Sequence, residues 1–182
     1  ERSSAASDVY KRQAYTTLAT IVQIFGEEKG FDYMKGLHAN INQYTKSGSA
    51  PIKAAARGEN TIGVAFLHGV VKQAVSGFPV DGVAPCEGTG YEIGSMSIID
   101  GARNVDEAKM FYDWALSAKA QSEAWKVKSF QVPSNVSAES SPLAPDPASI
   151  NLIDYDFKLY GSSAERKRLL KKWDDEVSVL PQ

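Results

Sequence analysis

The chain has 182 residues, 43% of them hydrophobic and 23% charged, which is typical of a globular protein that buries a core. Its formal net charge of −2 argues against a surface that binds nucleic acid or an acidic membrane. No apolar run approaches the roughly 18 residues of a membrane-spanning helix. A single cysteine excludes an internal disulfide, and with only two histidines the chain is poor in ligands for a structural zinc ion.

The first part of the chain predicts helices and a short strand. Residues 1–13 are polar and unpatterned, and we expect them to be a non-native or disordered tail. Apolar residues then recur at helical spacing in two consecutive segments, which Gly26 separates. Ser49, placed two residues before Pro51, marks the start of another helix. The predicted elements are helices at 14–25 and about 27–41, a short strand ending at about Thr45, and a helix at 51–58.

The stretch Thr61–Ile99 contains the first candidate ligand contacts. Its opening run, TIGVAFL, predicts a strand buried on both faces, and His68 follows at the C-terminal end of that strand. The segment Cys86–Gly94 contains three glycines and no periodicity. In α/β proteins, polar groups at strand ends beside glycines often form a small-molecule site, so His68 and Glu92 are candidates. A helix at 70–75 and strands at 79–85 and 95–99 complete the stretch and indicate a mostly parallel sheet.

The last third of the chain is mainly helical. Asn104 and Glu107 form a capping-box pair, and the apolar spacing between Val105 and Ala115 predicts a buried stripe on the helix that follows. Ser117 is expected to cap a second helix that runs to about residue 126. Further on we expect a strand at 129–133, a Ser- and Pro-rich loop at 134–148, and a helix beginning at Ser162 with the apolar face Leu169, Leu170, Trp173 and Val177.

The loop before the alanine-rich helix has two interpretations. Backbone N–H groups at the start of that helix point toward Lys46, Ser47 and Gly48, an arrangement suited to an anion. The same residues also fit an ordinary surface turn with a helix cap, and the local sequence favours this second interpretation.

Long motifs of the chain resemble a known family, the ABC-transporter substrate-binding proteins of the ferric-iron type. The second lobe of these proteins resembles AYTTLATIVQIFGEEKGFDYMKGLHANINQYTKSGSAPIKAAARGENTIGVAFLH. Their return into the first lobe resembles GYEIGSMSIIDGARNVDEAKMFYDWALSAKAQ, and their C-terminal helix resembles YGSSAERKRLLKKW. The match covers nearly all of the chain from Ala14 onward.

The resemblance implies an α/β fold of the type 2 periplasmic-binding-protein kind, with the second lobe and the C-terminal part that returns to the first lobe. Residues 14–80 would then be the second-lobe segment, and 81–98 the hinge and crossover strands. Residues 99–182 would be a C-terminal helical segment that belongs to the first lobe. The chain would be only the C-terminal part of a larger protein.

The resemblance also implies a function. Proteins of this family are periplasmic, bind a small solute in the cleft between two lobes, and present it to the membrane subunits of an ABC permease. For this chain, the resemblance implies a monomer that binds a small anionic solute. It implies no cofactor, no metal, no nucleic-acid partner and no enzymatic activity.

The residues at the predicted strand end distinguish between the ligands of the family. Members that hold ferric iron use two adjacent tyrosines here, whereas this chain has Leu67, His68 and Gly69. A single neutral imidazole is a poor match for ferric iron. The chain is closer to a branch that binds hexose phosphates, in which a histidine here and a glutamate in the GYEIG segment bind sugar hydroxyls. His68 and Glu92 match that pattern, but Gly69 replaces the usual aspartate and leaves the exact sugar open.

In the same branch, the phosphate is held by a Thr-Lys-Ser loop and by a Ser-Gly-Thr turn before the first helix. Thr45, Lys46 and Ser47 match the loop. Residues 11–13, which read Lys-Arg-Gln, stand where the turn belongs, so that half of the phosphate site is missing. Thr89 is a weaker candidate, because the glycines beside it also fit a simple turn, and a hinge salt bridge explains Glu92 as well as a ligand contact does.

Two alternatives stay open. One is a ferric-iron or phosphonate binder of the same family. The other is an enzyme in which Cys86, His68 and Glu92 serve as nucleophile, base and orienting acid. The sequence contains no nucleophile-elbow, phosphate-loop or metal motif in support of catalysis.

Overall fold

The computed structural model of the chain describes residues 4–7 and 12–181. By their contacts these residues divide into two units. The first unit joins the chain up to Tyr91 with the chain from Pro147 onward, and the second is Glu92–Asp146. Among the described residues, no helix combines the length and the apolar character needed to cross a membrane.

The structure contains eight α-helices among its described residues. In chain order they are α1 (Arg12–Phe25), α2 (Glu27–His38), α3 (Ala50–Ala56), α4 (Leu67–Val75), α5 (Val105–Leu116), α6 (Ala118–Glu123), α7 (Phe157–Tyr160) and α8 (Ser163–Trp173). Short 3-10 helices lie at Ala124–Val127 and Pro147–Ser149, and a π-helical turn, Asp174–Ser178, continues α8. Gly26 separates α1 from α2 with a φ of 78°, so the predicted break between these helices is confirmed.

The first unit contains a sheet of three parallel strands. They are β1 (Ser4–Ser7), β2 (Gln43–Thr45) and β3 (Ile62–Gly63). The strand β1 lies in the centre, where Ser7 pairs with Thr45 of β2 and Ala5 pairs with Gly63 of β3. Because the strands all point one way, their carboxyl ends lie at one edge of the sheet, which we call the carboxyl edge.

The central strand corrects the prediction for the start of the chain. A non-native or disordered tail is predicted for residues 1–13, but Ser4–Ser7 forms β1. The prediction is wrong for these four residues because Ser-Ala-Ala-Ser has no hydrophobic pattern, although Ala5 is completely buried. Residues 1–3 and 8–11 lie outside the described residues, and α1 already begins at Arg12.

The core of the first unit lies where α1, α2 and α8 meet. Its most deeply buried large side chains are Leu18, Phe31, Met34, Leu169 and Val177. The predicted apolar face of α8 is confirmed. The residues that pack on this face come from α1 and α2, and the sequence pattern of α8 does not identify them. A hydrophobic period predicts which face of a helix is buried, but not what buries it.

The strand β3 is shorter and more exposed than predicted. A strand buried on both faces is predicted for Thr61–Leu67, but β3 has two residues and Ile62 is 61% exposed. The prediction is wrong because β3 is an edge strand and, within the described residues, pairs with β1 alone. The helix α4 then begins at Leu67, three residues earlier than expected. The predicted strands at 79–85, 95–99 and 129–133 are also not strands in the structure.

The second unit exposes the apolar face of α5. A buried stripe is predicted there, but Phe111 is 61% exposed and Trp114 is 57% exposed. The prediction is wrong because the described residues of Glu92–Asp146 supply no layer that packs over this face. The apolar pattern itself is present, and the rings of Phe111 and Trp114 lie 5.5 Å apart on it.

Two of the predicted helix caps are confirmed. The hydroxyls of Ser117 and Ser162 each accept a hydrogen bond of 3.2 Å from the backbone N–H three residues further on. Ser49 and Asn104 also stand directly before helices, but neither side chain makes a capping hydrogen bond. The helix starts predicted at these two residues are therefore confirmed, whereas capping by their side chains is not observed.

Charged side chains join α2 to α8 at the surface of the first unit. Arg168 donates hydrogen bonds to both carboxylate oxygens of Glu27, at 2.9 and 2.6 Å, and Lys172 adds a third at 2.8 Å. Hydrogen bonds from Arg168 and then Lys172 lower the pKa of Glu27 from 4.5 to about 2. The ionised carboxylate therefore stabilises the folded state.

We expect Glu27→Gln to lower the free energy of unfolding at pH 7 by about 1 kcal/mol, a modest value because the Glu27 side chain is about one-third exposed. A carboxyl whose pKa is lowered by folding contributes its full stabilisation above the unfolded pKa of about 4.5 and loses it as the pH falls toward 2. The difference between wild type and variant should therefore shrink over that range in urea denaturation. Glu28→Gln is the matched control, and an equal effect there would contradict the prediction.

Candidate functional site

Two of the predicted contact groups lie beyond the ends of β2 and β3. Thr45 is the last residue of β2, and Lys46 and Ser47 follow it. On the other side of β1, the N–H of Val64, the residue after β3, donates to the carbonyl of Ala5 at 3.0 Å. His68 follows in the first turn of α4. Because one strand separates β2 from β3, these two strands lie about 10 Å apart where they end at the carboxyl edge.

The Thr45–Ser47 segment is a compact loop on the β2 side. Thr45 is buried, and its hydroxyl donates to the carbonyl of Ser47 at 2.9 Å. The same carbonyl accepts the N–H of Ala50 at 3.1 Å, which joins the loop to α3. Lys46 is exposed. The hydroxyl of Thr45 thus shapes the turn, while the ammonium of Lys46 and the hydroxyl of Ser47 are the groups suited to an anion.

His68 supplies a half-buried imidazole on the β3 side. Its ring centroid lies 5.7 Å from that of Phe66, at an angle of 40°. Burial lowers the pKa of His68 below 6.5, and the positive charge of Lys72, one helical turn further on, lowers it further. A neutral imidazole carries one donor and one acceptor, which suits a sugar hydroxyl. The predicted place at a strand end is corrected to the first turn of a helix.

The glycines of the GTGYEIG motif bring the backbone close to α1. A methyl group at Gly88 would lie 2.7 Å from the side chain of Ile153, and one at Gly90 would clash with the hydroxyl of Thr20. Gly88 lies beside Ile24, whereas Gly90 lies beside Thr20. From Gly88 to Gly90 the segment therefore runs toward the N-terminal end of α1. That end of α1 comes after the C-terminal end of β1 in the chain.

Thr89 and Glu92 occupy different places along this segment. The N–H of Thr89 donates to Asn151 at 2.8 Å, its carbonyl accepts from Ile153 at 3.1 Å, and its hydroxyl donates to Gly90 at 3.3 Å. Thr89 thus lies beside the second half of α1, away from the carboxyl edge, and its ligand role stays a prediction. Glu92 is half-buried and is the first residue of the second unit.

A small cavity in the first unit does not coincide with these residues. It has a volume of about 50 Å³, lies between the sheet and the helices α1 and α2, and is lined mainly by apolar side chains. Leu18, Met34, Tyr44 and Trp173 are among them. Such an apolar lining offers few partners to a charged solute.

A second histidine, His38, was not singled out from the sequence. It is only 3% exposed; its Nδ1 lies 3.0 Å from the hydroxyl of Tyr44 and its Nε2 lies 3.0 Å from the carbonyl of Leu180. Burial raises the pKa of Tyr44 to about 12. The helical spacing of the sequence indicates its burial, because His38 lies on the same face of α2 as the buried residues Phe31 and Met34.

The remaining reactive groups are Cys86 and the side chains that could bind a metal ion. Among the described residues, no three His, Cys, Asp or Glu side chains are grouped so that they could hold a metal ion. Cys86 is exposed, and its thiol donates to the carboxylate of Glu87 at 3.4 Å.

The chain is similar to a known protein family and to known proteins. The family model for bacterial extracellular solute-binding proteins matches residues 4–159. A protein of Haemophilus influenzae is 53% identical over 167 residues, which is 91% of this chain and 48% of that protein. The chain thus spans about half the length of this curated relative.

Two solved structures share the fold. The periplasmic binding protein AfuA from Actinobacillus pleuropneumoniae, with exogenous fructose-6-phosphate bound, is 50% identical with a TM-score of 0.93 over 99% of this chain and 57% of that chain. The periplasmic binding protein P5PA is 35% identical with a TM-score of 0.84, over 98% and 57% of the two chains. The predicted α/β fold of periplasmic binding proteins is therefore confirmed.

We expect His68 to titrate with a midpoint below 6.5, because burial and the charge of Lys72 both disfavour the imidazolium. Lys72→Met should raise the midpoint but leave it below 6.5, since burial is the larger cause. The measurement is an NMR titration of the imidazole C–H signals, assigned by their loss in His68→Gln. Lys167→Met, which removes an exposed charge from α8, is the control; a midpoint at or above 6.5 in the wild type would contradict the description of the site.

Proposed function

Since the chain belongs to the family of bacterial extracellular solute-binding proteins, we propose that it is the solute-binding component of an ABC import system whose solute is a sugar phosphate. The protein would bind this small anionic solute in a cleft between two lobes and deliver it to a membrane permease. It would act in the periplasm and without chemical conversion of the solute.

The observation that carries the proposal is the pairing of two chemistries at the carboxyl edge. Lys46 and Ser47 offer a cation and a hydroxyl beyond β2, and His68 offers a neutral imidazole beyond β3. Charged donors favour phosphate oxygens, whereas a group with one donor and one acceptor favours hydroxyls. A sugar phosphate has both kinds of partner at its two ends. AfuA, which is 50% identical, has fructose-6-phosphate bound, and this supports the same ligand class.

We propose Glu92 as a second contact to the sugar. In the hexose-phosphate-binding branch that the sequence resembles, a glutamate of the GYEIG segment binds sugar hydroxyls, and Glu92 stands at that place in the sequence. A carboxylate accepts hydrogen bonds from sugar hydroxyls and does not compete for the phosphate. Thr89 would contribute mainly through its backbone bridge to residues 151–153, which holds this segment against α1.

The exposed apolar face of the second unit is evidence for a packing partner, which we propose to be a lobe outside these 182 residues. Met110, Phe111 and Trp114 of α5 are all more than half exposed. Monomeric soluble proteins rarely leave a large contiguous apolar patch uncovered. We therefore propose that residues 92–146 pack on a first lobe, which would be part of the remaining 43% of a chain like AfuA.

The alternatives fit the carboxyl edge less well. Ferric iron requires hard anionic ligands, whereas Lys46 is a cation and His68 is neutral. A phosphonate would also suit Lys46 and Ser47, but it offers His68 no sugar hydroxyl. For an enzyme, Cys86 would need a base, and the partner of its thiol is Glu87.

We expect Lys46→Ala, His68→Ala and Glu92→Ala each to weaken fructose-6-phosphate binding by about 1–3 kcal/mol, which is about 5- to 150-fold in affinity. Each change removes a buried or charge-assisted hydrogen bond to the ligand. Isothermal titration calorimetry on the protein expressed from its complete gene is the measurement. Lys53→Ala is the matched control, because it removes an exposed lysine from the neighbouring helix α3.

Unchanged affinity in both His68→Ala and Glu92→Ala would refute the proposed sugar contacts. Binding of a simple phosphonate as tightly as of the sugar phosphate would favour the phosphonate alternative. A visible charge-transfer band on addition of ferric iron would favour iron, and turnover of the sugar phosphate that is lost in Cys86→Ala would favour an enzyme.

A further inference from the structure

A buried cluster lies directly behind the Lys46–Ser47 loop. It consists of Tyr44, His38, Trp173 and the carbonyl of Leu180, and we call it the Tyr44 cluster. The rings of Tyr44 and His38 stack with centroids 5.6 Å apart, and Trp173 packs edge-on against both, at 6.0 and 6.3 Å. The cluster therefore joins β2, α2, α8 and the chain after α8.

With a neutral imidazole at His38, only one assignment of donors and acceptors fits both of its hydrogen bonds in the cluster. The Leu180 carbonyl only accepts, so the Nε2–H of His38 donates to it at 3.0 Å. Nδ1 then carries the lone pair and accepts the hydroxyl of Tyr44, also at 3.0 Å. Because His38 is 3% exposed, loss of either partner would leave a buried polar atom unpaired.

The strand β2 has few other restraints. It has three residues, lies at one edge of the described sheet and pairs only with β1. The ring of Tyr44 also borders the apolar cavity, where fewer atoms pack against it. The hydrogen bond to His38 therefore adds to the pairing with β1 in fixing where Tyr44 and the end of β2 lie.

The loop begins at the very next residue. Thr45 and Ser47 hold each other through the hydroxyl-to-carbonyl hydrogen bond of 2.9 Å, so the loop keeps its internal shape. The loop is joined to β2 at Thr45 and to α3 through the N–H of Ala50, so its position depends on where β2 ends. A shift of Tyr44 would therefore displace Lys46 and Ser47 together.

We propose that the Tyr44 cluster positions the Lys46–Ser47 loop for the phosphate end of the ligand, with Tyr44 and His38 as positioning residues. The inference rests on the proposed sugar-phosphate function and deepens it. Neither residue touches the ligand in this proposal. Their effect on affinity passes through Lys46.

A double-mutant cycle separates this role from a purely structural one. Tyr44→Phe keeps the ring and removes only the hydroxyl, and it should weaken fructose-6-phosphate binding by about 3- to 30-fold, which lies within the range of measured couplings between interacting groups. In the Lys46→Ala background, the same change should alter affinity by less than about twofold, because the group it positions is gone. Affinities are measured by calorimetry on the protein expressed from its complete gene, below the unfolding transition.

Tyr15→Phe is the matched control. It removes another hydroxyl of a buried tyrosine, one that donates to the carbonyl of Tyr160 at 2.8 Å rather than to the Tyr44 cluster. Tyr15→Phe should lower the unfolding midpoint without changing affinity. An equal loss of affinity in Tyr15→Phe and Tyr44→Phe would overturn the inference, since it would reflect general destabilisation.

Further outcomes distinguish a failure of the positioning role from a failure of the proposed function. Unchanged affinity in Tyr44→Phe, or effects of Tyr44→Phe and Lys46→Ala that simply add, would overturn the positioning role while leaving the proposed function intact. A folded wild-type protein that binds no fructose-6-phosphate would overturn the proposed function, and the positioning role would fall with it.

Discussion

The parallel pairing of β1 with both of its neighbours is the constraint on which the site depends. The register that sets Ser7 beside Thr45 and Ala5 beside Gly63 makes β2 and β3 end at the same edge of the sheet. An antiparallel neighbour would send its loop to the opposite edge. Lys46 and His68 are 22 residues apart in sequence, and this pairing alone brings their two segments to one side of the first unit.

The apolar contact among α1, α2 and α8 connects that edge to the end of the chain. Leu169 and Val177 complete a core that begins with Leu18 and Phe31, so α8 is part of the first unit even though 55 residues of the second unit come before it. The same packing brings the Leu180 carbonyl to His38 and the ring of Trp173 to Tyr44. One hydrophobic contact thus supports both the sheet and the polar cluster behind its second strand.

Sequence patterns predicted the helices whose buried face follows from their own hydrophobic spacing. They missed the strands whose formation depends on residues far away in the sequence. The helical spacing of residues 14–25 and of the last helix predicted both buried faces, since a period of 3.6 is a local property. Ser4–Ser7 has no pattern, and only the strands on either side of it make it central. TIGVAFL is apolar throughout, but pairing with one neighbour leaves β3 with two residues. Of the site, Lys46 and His68 were predicted near the sheet edge, whereas the place of Thr89 beside α1 depends on the contacts of Gly88 and Gly90, which no spacing reveals.

The charges at the carboxyl edge argue for a ligand with two different ends. A metal ion would be repelled by Lys46 and would gain only one neutral nitrogen from His68. A simple anion would be satisfied by Lys46 and Ser47 and would make no use of an imidazole whose pKa is lowered by burial. An uncharged sugar would pair with His68 and leave the ammonium of Lys46 without a partner. Under the proposed function, a solute with a phosphate at one end and hydroxyls at the other would use every one of these groups, because charged donors favour phosphate oxygens and a neutral imidazole favours hydroxyls.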